Sequence, residues 1–149
     1  MGLLNDLGRG PVALDSSIFI YFIEEHPRFL PVVKPVFSSV AAREVAAVTS
    51  SLTLLEVLVR PLRANLPALA AEYEQILTRS TGITLIPLDL ALLRLAAQLR
   101  ATCGLKTPDA LQLAAALESG CSVFLTNDER IPQVPGLRVL RAQDYLEPG

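Results

Sequence analysis

The feature that most constrains this chain is an alternation: short runs rich in valine, isoleucine and leucine are each followed by a longer segment with apolar residues at helical spacing. The runs are PVAL, VAAVTSS, ITLIPL, CSVFLT and LRVLRA, beginning at residues 11, 45, 83, 121 and 137. Strands joined by helices pair in parallel through right-handed crossovers, and the helices cover both faces of the sheet. The pattern predicts an α/β fold around a central, mainly parallel sheet of about five strands.

The helical segments are marked with unequal clarity. SSIFIYFIEE follows the first run, with Ser16 or Ser17 as its cap. Phe29, Val33, Val36, Phe37 and Val40 recur at helical spacing, but Pro31 and Pro35 fall inside that pattern and leave the helix start open. LTLLEVLVRPL and LPALAAEYEQILTRS form the next two helices, and DLALLRLAAQLRATCG runs from near Asp89 to Gly104. In TPDALQLAAALESG, Thr107 serves as the cap, Pro108 as the first helical residue and Gly120 as the stop. Most leucines of segments 62–79 and 88–102 are expected in the core rather than on a dimer face.

Composition excludes several classes. The 149 residues, 51% hydrophobic and 19% charged, suit one compact domain spanning 1–149. The richest apolar stretch, LIPLDLALLRLAAQLR, is broken by Asp89 and Arg94, so no membrane span is expected. MGLLNDLGRG has no leader pattern, which makes a cytoplasmic location the default expectation. Cys103 and Cys121 lack metal-knuckle spacing. His26 is the only histidine, which rules out a multi-histidine metal site, and EEHPRF reads as a turn between helices. With a formal charge of −2, any nucleic-acid surface must be local.

Four acids carry the functional argument. Ligands bind open parallel sheets beyond the carboxyl ends of the strands. Asp15 ends the first strand, Asp128 follows the fourth, Glu56 lies early in the helix after the second, and Asp109 opens the helix that feeds the fourth. Each has a structural reading: Asp15 as a helix cap, Thr53-Leu-Leu-Glu56 as a capping box, Asp109 as a first-turn acid, and Asp128 with Asn127 as turn chemistry. Four independent caps have no reason to share one edge of one sheet. Two carboxylates about 4 Å apart repel by about 4 kcal/mol at an effective dielectric of about 20, so a cluster needs a cation or extra protons. Oxygen ligands without histidine suit Mg²⁺ or Mn²⁺, and such an ion serves phosphate chemistry.

At LDSS, TSSLTLLEV, DALQLAAAL and VFLTND, the sequence resembles the PIN-domain family of metal-dependent ribonucleases, and the resemblance covers most of the chain. It implies a three-layer α/β/α sandwich and a metal site of Asp15, Glu56, Asp109 and Asp128. It also implies Thr126 and Asn127 as polar neighbours that bind the metal or its water. The compact length is most similar to the toxins of VapC-type toxin–antitoxin pairs. That likeness implies a homodimer, an antitoxin partner whose C-terminal segment blocks the cleft, and hydrolysis of RNA to 5′-phosphate and 3′-hydroxyl ends. Region 27–45 departs from the family pattern in its prolines. Arg43, Arg60, Arg63 and Arg130 are candidate phosphate contacts at the rim. The alternatives are a non-catalytic PIN-fold interaction module and a Mg²⁺-binding phospho-receiver, the latter disfavoured because no lysine follows a late strand.

Overall fold

The computed structural model describes residues 2–147. The five apolar runs become β1 (Val12–Leu14), β2 (Ala47–Ser50), β3 (Ile83–Ile86), β4 (Val123–Thr126) and β5 (Arg138–Arg141). They form one sheet in the order β3-β2-β1-β4-β5. Every neighbouring pair is parallel.

Successive strand side chains point to opposite faces, so a sheet covered on both sides needs apolar residues at consecutive positions. Val12, Leu14, Val123 and Leu125 enter one core, whereas Ala13, Phe124 and Val139 enter the other. The helices are α1 (Leu3–Leu7), α2 (Ser16–Ile23), α3 (Leu30–Ala41), α4 (Leu52–Arg63), α5 (Pro67–Arg79), α6 (Leu90–Cys103) and α7 (Thr107–Glu118). Phe19 of α2, Val33 and Val36 of α3, and Tyr73 and Leu77 of α5 fill the first core. Leu92 of α6 and Leu113 and Ala114 of α7 fill the second. This is the three-layer α/β/α sandwich expected, with a wholly parallel sheet. The short α1 carried too little periodicity to be foreseen. No helix among the described residues is long and apolar enough to cross a membrane.

Helix starts refine the expectations. Asp15, not Ser16 or Ser17, caps α2: its backbone is extended and its carboxylate accepts from the Ser17 N–H. α7 begins at Thr107 itself, with Lys106 before it and Pro108 second. Gly104 closes α6 in the left-handed conformation, with φ of 67°. α3 accommodates Pro31 in its first turn, where no intrahelical amide is missed, and Pro35 one turn deeper. His26 prepares that start, because its Nδ1 accepts from the N–H groups of Arg28 at 3.1 Å and Phe29 at 3.2 Å.

The leucines of 62–79 and 88–102 divide differently from expectation. Leu77, Leu92 and Leu99 are buried, whereas Leu62, Leu66, Leu88, Leu90 and Leu93 are exposed. Leu55 and Val59 of α4 are exposed with them. A helix that covers a sheet buries only one stripe, and Leu55, Val59, Leu62, Leu90 and Leu93 lie off it, whereas Leu66 and Leu88 fall in the connections before α5 and α6.

Candidate functional site

The strand order reverses at the seam of β1 and β4: β2 and β3 extend the sheet on one side, β5 on the other. Crossovers leaving to opposite faces open a crevice at the carboxyl ends there. Leu14 pairs with Leu125 at the last rung, so the next residues, Asp15 and Thr126, meet at its mouth. The Thr126 hydroxyl donates to Asp15 Oδ2 and accepts the Asp128 N–H at 3.0 Å. Asp15 Oδ1 accepts from the Ser17 N–H at 2.9 Å and the Ser17 hydroxyl at 2.5 Å. One carboxylate thus serves as a helix cap through one oxygen and faces the seam with the other.

Burial dominates the electrostatics of Asp15. It is 7% exposed. Desolvation raises its pKa from 3.8 to about 6, despite the bonds from Ser17 and Thr126, and the Glu56 charge adds to the rise.

Glu56 does not close a capping box. α4 starts at Leu52, which places Thr53 inside the helix with no side-chain cap. The Thr53 hydroxyl is instead 2.7 Å from the Thr49 hydroxyl and accepts from Gln112 Nε2 at 2.9 Å. Thr49 in turn donates to the Leu14 carbonyl at 2.7 Å. Gln112 Nε2 also donates to Glu56 Oε1 at 3.1 Å, tying α7 to α4. Gln112 was missed in the sequence, although a lone amide in DALQLAAAL, three residues after Asp109, was the available signal. Its Oε1 is buried without a partner among the described residues.

Asp109 and Asp128 form the second pair. Burial raises the Asp109 pKa and the Asp128 charge raises it further, against Arg130 and Lys106. Asp128 has the opposite shift, because Arg130 holds its carboxyl below the ordinary range. The Arg130 guanidinium donates through Nε to Oδ1 at 3.0 Å and through Nη2 to Oδ2 at 2.9 Å.

Asp15 senses the charge of Glu56 and Asp109 that of Asp128, which relates the four predicted acids two by two. Among the described residues, no three His, Cys, Asp or Glu side chains are arranged to hold a metal ion. The donor chemistry fits a hard divalent cation, since all four side chains offer carboxylate oxygens. Asn127 is engaged at both ends of its amide: Nδ2 donates to the Tyr21 hydroxyl at 3.0 Å, and Oδ1 accepts from the Gln143 N–H at 2.9 Å.

Only one of the four arginines meets an acid of the rim. Arg130 does so on Asp128, whereas Arg60 pairs with Glu24. Arg43 precedes β2 and so lies at the opposite, amino-terminal edge of the sheet, which corrects its expected place. Arg63 ends α4, a helix that runs away from the rim.

The family model of the PIN domain matches residues 12–137, and the chain belongs to that family. Its fold is similar to a chain of the VapBC2 complex of Rickettsia felis bound to a promoter DNA fragment, at 18% identity and a TM-score of 0.69, covering 87% of this chain and 97% of that one. It is also similar to a chain of DNA-bound VapBC from Salmonella typhimurium, at 21% identity and a TM-score of 0.68, covering 88% and 97%. A toxin–antitoxin complex from Klebsiella pneumoniae gives 19% identity and a TM-score of 0.65, with the same coverages. Among curated proteins no match is found. The phospho-receiver alternative falls with the family and with the strand order, since receivers run 2-1-3-4-5.

Proposed function

We propose that this chain is one PIN domain acting as a metal-dependent ribonuclease, the toxin of a toxin–antitoxin pair in the cytoplasm. The observation that carries this reading is Asp15, a buried carboxylate at the β1–β4 crevice whose pKa is raised to about 6, with Glu56 beside it. Asp15, Glu56, Asp109 and Asp128 would hold Mg²⁺ or Mn²⁺, which when bound supplies Lewis acidity toward the phosphate and a more acidic water. Thr126 holds Asp15 in place across the seam, and Gln112 fixes the Glu56 carboxylate from α7. Asn127 braces the loop that carries Asp128. Arg130 screens Asp128 through Nε and Nη2 and, being exposed, offers its remaining Nη1 edge to a substrate phosphate. The products are a 5′-phosphate and a 3′-hydroxyl.

Two partners follow. The neighbours' toxin–antitoxin complexes support an antitoxin partner, and the Arg130–Asp128 pair within this chain is the kind of contact an antitoxin arginine would make at the acids. The exposed leucines of α4 and α6 support a homodimer, because an apolar surface of this kind marks an interaction site that a second copy could cover. A non-catalytic interaction module is the second reading, and the engagement of Asp128 by Arg130 is the observation that favours it. An RNA-cleavage assay separates the two. Cleavage that disappears with chelator, returns with Mn²⁺ and is absent in Asp109→Asn supports the nuclease. Mn²⁺ binding without cleavage of any cellular RNA supports the module.

A further inference from the structure

We propose that Tyr21 and His26 form a stacking platform for a base of the RNA next to the cleaved phosphate. The inference rests on the ribonuclease reading and adds how that site grips its substrate. Acids that gather a metal repel the phosphate backbone, and the chain is not basic overall, so affinity must come from beside the acids.

Tyr21 is placed for this by contacts at both ends of its ring. It lies in α2, the helix that Asp15 caps. One ring face stacks on Phe29, with centroids 4.6 Å apart and planes 17° from parallel. Its hydroxyl accepts from Asn127 Nδ2, and Asn127 stands between Thr126 and Asp128. The outer end of the ring therefore touches the loop that carries an acid of the site. Asn127 cannot swing away freely, because its Oδ1 is held by the Gln143 N–H. His26 meets Tyr21 edge to face, with centroids 5.0 Å apart and planes at 65°, and its own orientation is fixed by the Arg28 and Phe29 N–H groups.

Burial separates the support from the platform. Phe29 is buried at 7% exposure, whereas Tyr21 and His26 stay partly exposed. The exposed Arg28 guanidinium lies 5.8 Å from the Phe29 centroid, placing a positive charge beside the aromatic group. Packing of α2 against α3 alone requires neither a hydroxyl bonded to the acidic loop nor a second partly exposed ring. A rigid aromatic surface flanked by a cation and hydrogen-bonded to Asn127, the residue before Asp128, matches the needs of single-stranded RNA, whose unstacked bases stack on aromatic rings.

The test uses a short single-stranded oligouridylate carrying one 2-aminopurine, whose fluorescence is quenched on stacking. It is bound to the full chain in Ca²⁺ to avoid turnover. The wild type and Tyr21→Phe should quench the probe, whereas Tyr21→Leu should quench little and bind about tenfold more weakly. His26→Asn, which keeps an acceptor for the Arg28 and Phe29 N–H groups, should weaken quenching in part. Mn²⁺ binding should be retained in all four, showing that fold and acids are intact, because the Gln143 N–H still holds Asn127 in the Tyr21 variants. If Tyr21→Leu binds and quenches as the wild type does, the aromatic group only packs α2 against α3 and the platform is wrong. If the wild type holds Mn²⁺ but no RNA, the ribonuclease reading itself fails, and the platform fails with it.

Discussion

Thr126 and Asp15, which are 111 residues apart, meet across the β1–β4 seam, and the threonine hydroxyl that donates to Asp15 also accepts the Asp128 N–H. One buried side chain thus ties the Asp15 carboxylate to the backbone of the turn that carries Asp128; the bond to Asp128 is ordinary turn chemistry, but the bond to Asp15 is required by neither cap nor turn.

Thr126→Val keeps the volume and removes both bonds. It leaves Asp15 Oδ2 and the Asp128 amide short of a partner, a loss of about 1–3 kcal/mol. Urea denaturation should show that loss in metal-free protein. The pKa of Asp15 should rise further, because the Thr126 bond now lowers it.

The raised pKa of Asp15 makes metal-free stability depend on pH. Between 3.8 and about 6 the folded chain binds a proton that the unfolded chain has released. The stabilisation is therefore full below 3.8 and is lost as pH rises through about 6, by at most about 3 kcal/mol. Denaturation midpoints across this window should fall in the wild type and fall much less in Asp15→Asn, which keeps a capping side chain.

Gln112→Met retains bulk in the buried face of α7 but releases Glu56 and Thr53. Groups that orient metal ligands contribute about 10–100-fold to metal affinity or activity. Mn²⁺-dependent cleavage should fall by an amount in that range, while circular dichroism stays unchanged.

Leu55, Val59 and Leu62 recur at helical spacing on the exposed face of α4. A double change, Leu55→Glu with Leu62→Glu, should turn a dimer into a monomer in sedimentation velocity without loss of folding, since neither side chain enters the core. A wild type that sediments as a monomer at all concentrations would remove the dimer from the account.

The sheet was legible in the sequence because its strands are buried on both faces and so read as unbroken apolar runs. The places of Asp15, Asp109 and Asp128 in the fold followed from topology, since each follows a strand end or opens a returning helix, whereas Glu56 lies within α4. What sequence could not supply was pairing across the fold. Gln112 reads as one polar residue in a helix until α7 is laid against α4. Asn127 reads as a ligand until both ends of its amide are seen to be held by Tyr21 and Gln143. Arg43 read as near the rim by sequence distance, although the strand it precedes carries it to the other edge. The exposed leucines followed the same rule, because helical periodicity reveals an apolar stripe but not how much of it one sheet can cover.

The most direct test of the account is Mn²⁺ binding by calorimetry at neutral pH, comparing the wild type with Asp15→Asn and Asp109→Asn, each shown to be folded. The account predicts that the wild type binds and that either change weakens binding severely, because the two acids belong to different pairs of one site. If the wild type does not bind Mn²⁺, or if both variants bind as well as it does, the four acids are caps and turns and the metal-dependent reading is wrong.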